Sequence, residues 1–107
     1  AVLDAEVLAV DGARASVRAA GVEVAMACAP DARPGPARAL VRPADVALGE
    51  GPLSGRATAA AFRGEGWEIW LQIPGVAEPV LADAPRRMAP GERAPLRLTG
   101  GWIIPAA

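Results

Sequence analysis

The amino-acid sequence predicts an all-β fold, and three observations support this prediction. The chain has 107 residues, which is the length of a single domain. Its 12 glycines and 11 prolines interrupt the sequence every few positions and leave no room for a long helix. Between these interruptions, short segments alternate apolar and polar residues, which is the period of a half-buried strand.

Four strands are predicted in the first half of the chain, with turn residues between them. The pair Asp11-Gly12 is a strong hairpin signal between the first two strands, and Gly21 marks the next turn. Residues 29–36 contain three prolines and one glycine, so we expect a loop there. Pro43 then stops the fourth strand. The predicted strands are residues 2–10, 13–19, 22–28 and 37–42.

Five further strands are predicted in the second half, after a connection at residues 49–52. The clearest is residues 67–73, in which Trp67 shares a face with three aliphatic residues, whereas Trp70 faces the other side. We therefore expect Trp67 in the core and Trp70 on the surface or in an interface. Pro79, at the start of the following strand, places that strand at a sheet edge. The five strands are residues 53–63, 67–73, 79–83, 93–98 and 102–104.

A repeat relates the two halves of the sequence. Each half contains a hairpin, a turn, a short strand and a proline-containing loop, followed by a Pro-Gly pair and another strand. The two pairs, Pro34-Gly35 and Pro90-Gly91, are about half the chain apart. Two units of about fifty residues are each too small to bury a sheet face alone, but they can share one core. The sequence therefore predicts an OB-like small barrel built from two similar β half-units, in a single domain over residues 1–107.

The composition excludes several classes of function. The chain contains no histidine and one cysteine, so it has no Ser-His-Asp triad, internal disulfide or Cys-x-x-Cys metal site. Cys28 ends an apolar alternation and is expected to be a small buried side chain. The net charge of −1 and the absence of lysine argue against nucleic-acid binding. The sequence therefore indicates neither an enzyme nor a metal site.

Three kinds of residue are candidates for contacts with partners or ligands. Trp70 favours packing or a dimer contact over base stacking, because its neighbours on the same face are acidic or uncharged. The adjacent Arg86 and Arg87 lie in a predicted loop, where they form either an anion or partner contact or a solvated pair. Arg63 is a further candidate donor to an anion.

The run from residue 41 to residue 46 is the most distinctive in the chain. Arg42 ends a predicted strand, Pro43 stops it, and the carboxylate of Asp45 is placed to cap the short turn. Arg42 and Asp45 are therefore a candidate structural clamp between the two halves, stabilised by a charge-assisted contact.

The same run resembles a known family. Residues 40–48, Leu-Val-Arg-Pro-Ala-Asp-Val-Ala-Leu, look like the segment "iRPEdv.l" of the transport-associated OB (TOBE) domain. Residues 53–57, 61–64 and 90–98 are similar to the segments that follow it in this family. Three features depart from the family pattern: Ala44 stands where glutamate is usual, Pro95 interrupts a strand that usually has no proline, and the Ser-Ala-Arg-Asn type of signature seen in molybdate-binding relatives is absent.

The resemblance implies a non-catalytic regulatory and dimerisation domain of an ABC importer ATP-binding subunit, with no cofactor. Its implied partners are the subunit's own nucleotide-binding domain and a second copy of the subunit. The membrane subunits would be contacted indirectly, and a regulatory protein or small ligand is a further partner. The chain would then be a C-terminal fragment of a longer subunit, cytoplasmic and peripheral at the inner face of the plasma membrane.

The alternative belongs to another class of function. It is a free-standing oxyanion- or small-ligand-binding module, which would use Arg42, Arg63 or the pair Arg86 and Arg87 as anion donors.

Overall fold

The computed structural model describes residues 1–105, and most of these residues are in strands. The predicted all-β class is therefore confirmed. The one helical element in this part of the chain is a single 3-10 turn, Pro43–Asp45, which precedes the fifth strand. The strands are β1 (Val2–Asp11), β2 (Arg14–Ala19), β3 (Val22–Ala27), β4 (Gly35–Leu40), β5 (Val46–Phe62), β6 (Trp67–Gln72), β7 (Val80–Ala84), β8 (Arg93–Leu98) and β9 (Trp102–Pro105).

The strands form a closed barrel and a second, four-stranded sheet. The barrel has the order β1-β2-β3-β9-β4, and the sheet has the order β7-β6-β5-β8. Neighbouring strands are antiparallel except β3 and β9, which run parallel where Ala27 lies opposite Trp102. The Ala27 N–H donates to the Gly101 carbonyl at 3.0 Å, and this bond closes the barrel.

The two halves share one strand order. The order β3-β2-β1-β4 in the barrel corresponds to β7-β6-β5-β8 in the sheet, and β9 is an additional strand of the barrel. Equivalent strands also bury equivalent residues. Leu3 on β1 and Leu53 on β5 are both buried, and they lie opposite the fully buried Ala39 and Leu96. The predicted OB-like arrangement of two similar β half-units is therefore confirmed.

The two Pro-Gly pairs are displaced by one residue relative to this equivalence. Val7 lies opposite Gly35, whereas its equivalent Ala57 donates its N–H to the Glu92 carbonyl at 2.8 Å. Gly35 therefore corresponds to Glu92, and Gly91 precedes that position. The cause is a glycine bulge: Gly91 has a φ of +89°, and its N–H donates to the Ala57 carbonyl at 2.7 Å.

Strand β5 is longer than predicted because residues 49–52 form a bulge within it instead of a connection. Leu48 and Leu53 both lie opposite Leu96, so the residues between them loop out of a continuous strand. Gly51 has a φ of +139°, and a Cβ there would overlap the Leu96 carbonyl. Only glycine fits both the conformation and the close approach.

A single apolar core joins the two halves. Among residues 1–105, no buried residue is polar or charged. Cys28 is 1% exposed, which confirms the expectation of a buried thiol. Trp67 is half-buried and packs against the core, while Trp70 is half-buried on the opposite face of β6. The largest fully buried side chains are Met26, Ile69, Leu71, Ile73, Leu96 and Ile103.

The described part of the chain has no helix that is long and apolar enough to cross a membrane.

Candidate functional site

An apolar patch lies on the outer face of the barrel, where β9 joins β4. Strand β9 alternates, with Ile103 buried and with Trp102 and Ile104 41% and 36% exposed. Trp102 lies opposite Leu40, which in turn lies opposite Val2 on β1. Residues directly opposite each other project from the same face of a sheet, so these side chains form a continuous row. We call Val2, Leu40, Trp102 and Ile104 the barrel patch.

A pair of opposite charges borders the barrel patch. Arg38 lies opposite Ile104 on one side and opposite Asp4 on the other. Its Nε is 4.0 Å from Oδ1 of Asp4, and both side chains are largely exposed. Exposed pairs of this kind contribute little to the free energy of folding. Both charges therefore remain available to a partner surface.

A second surface lies at the tip of the β5–β6 hairpin. Phe62 is directly opposite Trp67, with the ring centroids 5.4 Å apart and the ring planes inclined by 59°. Phe62 is 61% exposed, which is the largest value for a large hydrophobic side chain in residues 1–105. Arg63 follows it and donates to Glu68 at 2.8 Å, which braces the two strands at their ends.

A shallow cavity of about 510 Å³ adjoins Trp67. It lies between the hairpin tip and the end of β7, where Gly66 approaches the Ala84 carbonyl so closely that a Cβ would lie 3.0 Å from that oxygen. The cavity is lined by Arg63, Glu65, Gly66, Trp67, Asp83, Ala84 and Pro85. We call Phe62, Arg63, Glu65, Trp67, Glu68 and Asp83 the hairpin end.

Arg42 and Asp45 interact through the main chain of Arg42. The Arg42 N–H donates to Oδ2 of Asp45 at 3.0 Å, and the Asp45 N–H donates to the Arg42 carbonyl at 2.8 Å. The Asp45 carbonyl also accepts from the Thr99 N–H at 2.8 Å. Asp45 thus ties the turn between β4 and β5 to the segment between β8 and β9. The Arg42 guanidinium is in none of the salt bridges among residues 1–105.

Arg86 and Glu92 hold the loop between β7 and β8 together. Nη2 of Arg86 lies 2.5 Å from Oε2 of Glu92, and Nη1 lies 3.4 Å from Oε1. Nη1 also donates to the carbonyl of Arg87 at 3.0 Å, while Oε1 accepts from the Ala89 N–H at 3.1 Å. The hydrogen bond from Arg86, followed by that from Ala89, lowers the pKa of the Glu92 carboxyl. Arg86 is therefore engaged within the chain, whereas the side chain of Arg87 is exposed.

A comparison with known families tests the family resemblance of residues 40–48. The sequence model of the TOBE domain family matches residues 39–104, which is more than half of the chain and extends from β4 to β9. The chain belongs to the TOBE domain family. No curated protein matches this sequence. TOBE domains are small and non-catalytic, and the family is regulatory or ligand-binding, associated with ABC transporters or with molybdate binding.

The match places both surfaces in a family context. The hairpin end of this TOBE domain lies entirely within the matched residues, as do Leu40, Trp102 and Ile104 of the barrel patch, whereas Val2 precedes them. Sequence analysis did not identify Phe62, Trp102 or Ile104 as surface residues. The alternation in a three-residue segment such as 102–104 is too short to assign a face, although the isolated tryptophan there was a usable signal.

Trp70 of the TOBE domain lies on the outer face of the four-stranded sheet. It lies opposite Ala59 on β5 and Leu81 on β7, which flank the ring and leave it half-buried. The Trp70 carbonyl accepts from the Thr58 hydroxyl at 3.4 Å. Its partial burial makes Trp70 a less prominent surface feature than Trp102 or Phe62, which are both exposed.

In five surface cavities of the described residues, the arginines of the TOBE domain do not converge. Each of these cavities is lined by a single arginine, and four of the five also contain an aspartate or glutamate. Tight recognition of an anion uses several donors directed at one point. Two of the candidate donors, Arg63 and Arg86, are already engaged by glutamates. The geometry therefore favours protein contacts over oxyanion binding.

Proposed function

We propose that this TOBE domain is the non-catalytic regulatory and dimerisation domain of an ABC importer ATP-binding subunit, and that it modulates ATP-driven solute uptake. Within a family associated with ABC transporters, the observation that carries the proposal is the barrel patch. A 41% exposed tryptophan in a continuous apolar row is the type of anchor that dominates protein interfaces.

The charges beside the patch favour a second copy as the occupant. Most homodimers are two-fold symmetric, so the same surface serves both subunits. Arg38 and Asp4 carry opposite charges at neighbouring positions of the patch border. A two-fold arrangement can place Arg38 of one copy near Asp4 of the other, while Trp102 and Ile104 are buried between them. The border charges then orient the contact and the apolar row supplies most of its free energy.

The remaining partners follow from the proposed role. The nucleotide-binding domain of the same subunit would precede this domain, and the membrane subunits would be contacted indirectly through it. The protein would then be cytoplasmic and peripheral at the inner face of the plasma membrane.

The first experiment identifies the native polypeptide in the source cells by mass spectrometry of peptides from this sequence. A subunit several times longer than 107 residues, with a nucleotide-binding domain before residue 1, supports the proposal. A mature chain near the 10.9 kDa of this sequence contradicts it.

The second experiment tests the barrel patch in that native subunit. We expect Trp102→Ser to raise the Kd of dimerisation, measured by sedimentation equilibrium, by about tenfold or more, because truncating a buried anchor typically costs about 2 kcal/mol. Phe62→Ser is the matched control, since it removes an aromatic side chain that is even more exposed, at 61% against 41%, from the other surface. Equal effects of the two variants, or no effect of either, contradict the proposal.

The alternative, an oxyanion-binding module, is distinguished by calorimetry. Titration with molybdate, sulfate and phosphate should give no heat of binding if the main proposal describes the role of the domain fully. Saturable heat that Arg42→Gln or Arg87→Gln abolishes would favour the alternative.

A further inference from the structure

We infer that the hairpin end is a docking surface for a basic segment of a partner protein, with an arginine or lysine side chain of that segment lying in the cavity lined by Trp67, Glu65 and Asp83. This inference does not depend on the proposed function, because it concerns a surface separate from the barrel patch. The argument rests on the aromatic pair, on the unequal charges around it and on the cavity beside it.

The aromatic pair is exposed yet held in place. Phe62 is 61% exposed, although it lies directly opposite Trp67 in the ladder and contacts its ring. Trp67 is anchored because it also packs against the core. The salt bridge between Arg63 and Glu68 fixes the hairpin immediately beyond both rings. A rigid, exposed aromatic surface loses little conformational entropy when a partner binds to it.

The charges around the aromatic pair are unequal. The one cation of the hairpin end, Arg63, is engaged by Glu68 at 2.8 Å. Glu68 lies directly opposite Asp83, an arrangement of like charges that destabilises a sheet unless another charge compensates it. Asp83 and Glu65 are in none of the salt bridges among the described residues. Three carboxylates and one guanidinium leave this surface with an excess of negative charge.

Trp67 and Asp83 project from opposite faces of the sheet, and the cavity at the end of the hairpin brings them together with Glu65. Its volume of about 510 Å³ is ample for a long side chain, and it is shallow and open on one side, as suits a group presented by another protein. Trp67 forms one part of the lining, and Glu65 and Asp83 form another. A guanidinium or ammonium group held over an aromatic face and beside a carboxylate gains from both contacts. An acidic partner segment would instead be repelled by both carboxylates.

Two-dimensional ¹H–¹⁵N NMR of the full 107-residue chain tests the inference with a defined probe. The probe is the blocked hexapeptide Gly-Leu-Arg-Leu-Arg-Gly, and the matched peptide has glutamate in place of both arginines. We expect the arginine peptide to shift the Trp67 indole signal and the amide signals of Phe62 and Asp83 saturably, and added salt to weaken the binding. The glutamate peptide should leave these signals unchanged.

Variants separate the two contributions. Asp83→Asn and Phe62→Ser should each weaken binding of the arginine peptide by about fivefold to tenfold, because the first removes a carboxylate from the cavity and the second removes the ring that packs against Trp67. Glu50→Gln is the control, since it makes the same change of charge at an exposed position in the bulge of β5. Both side chains that are altered at the site are exposed, so the variants should retain the fold, which their spectra report directly.

Three results would overturn the inference. The first is an arginine peptide that produces no saturable shift at the hairpin end. The second is equal binding of the arginine and glutamate peptides. The third is a loss of affinity in the Glu50→Gln control as large as that in Asp83→Asn. Because the barrel patch is unaltered in all these variants, none of these results bears on the proposed dimerisation.

Discussion

Val7 and Ala57 occupy equivalent positions in the two halves of the molecule. Both are almost completely buried, at 2% and 0% exposure, and both are followed by one residue without a cross-strand partner in the hairpin ladder. The bulges at Leu8 and Thr58 increase the local twist and allow each sheet to curl around the core. The two halves thus share both strand order and the irregularity that bends the long strand.

The first prediction concerns the close packing of side chains around Gly55 in the second half. Gly55 is buried, and a Cβ there would lie 2.7 Å from Cδ2 of Leu96 and 3.2 Å from Cβ of Leu71. Because both leucines are fully buried, neither side chain can move aside freely. We expect Gly55→Ala to lower the free energy of unfolding by about 1–3 kcal/mol, as overpacked cores do. Urea denaturation followed by tryptophan fluorescence measures this value.

The equivalent position in the first half provides the control. Ala5 corresponds to Gly55 in the ladder and already accommodates a Cβ next to the core. We expect Ala5→Gly to cost only about 0.5–1 kcal/mol, which is the entropic cost of a glycine in a strand. If Gly55→Ala destabilises the chain less than Ala5→Gly does, the packing argument at Gly55 is wrong.

The sequence was sufficient to predict where most of the strands lie, because the alternation of apolar residues is clear in strands such as β6. In β6, the residues Ile69 and Leu71 alternate with half-buried neighbours, and both are fully buried in the structure. The repeat was also visible, since Pro-Gly pairs occur within one residue of corresponding places in the two halves. Both signals can be seen in a single sequence without any knowledge of which strands pair.

Other features depend on contacts that are distant in the sequence. Strand β9 returns to the barrel and places Trp102 opposite Ala27, and no local pattern near residue 102 predicts this pairing. The main-chain bonds between Arg42 and Asp45 follow from the geometry of the turn, whereas the sequence suggested a clamp between charges. The pairing of Phe62 with Trp67 depends on the register of a hairpin whose strand also contains a bulge.

The second prediction concerns pH. Because hydrogen bonds from Arg86 and Ala89 lower the pKa of Glu92 in the folded state, ionised Glu92 stabilises the fold. This contribution is present above the ordinary carboxyl pKa of 4.5 and is lost as the pH falls through the lower folded value. We therefore expect Glu92→Gln to be less stable than the native chain at neutral pH, with the difference disappearing at acidic pH.

Urea midpoints measured across the acidic range at low salt would show this convergence. Since the pair is exposed to solvent, the difference should be small and should shrink further at high salt. Glu50→Gln, an exposed acid in the β5 bulge, serves as the control. A Glu92→Gln deficit that stays constant from neutral to strongly acidic pH would show that the carboxylate charge is not its cause.

The third prediction concerns the single thiol. Cys28 is 1% exposed, and its Sγ lies 3.9 Å from the Gly12 carbonyl inside the barrel. A thiol reagent must wait for the barrel to open before it can attack this sulfur. We expect Ellman's reagent to react rapidly with the urea-denatured chain and at least about a hundredfold more slowly with the native chain, given the small populations of opened states. Rapid labelling of the native chain at the denatured rate would contradict the burial of Cys28.

The fourth prediction concerns the outer edge of β8. The Glu92 carbonyl points toward β5, where it accepts a hydrogen bond from the Ala57 N–H. The main-chain N–H and C=O groups of successive residues in a strand point to alternate sides. The nitrogen of Pro95, three residues later, therefore faces away from β5. In the barrel, β9 covers the equivalent edge of β4, whereas within residues 1–105 no strand pairs with β8 on that side. Proline at this position removes a donor that an added strand would need.

We expect the Pro95→Val chain to self-associate with increasing concentration in sedimentation velocity. Ser54→Val is the control, because it adds the same side chain opposite residue 95 without a new N–H. We expect the Ser54→Val chain to sediment like the native chain. A Pro95→Val chain that sediments like the Ser54→Val chain at every concentration would show that Pro95 does not protect this edge.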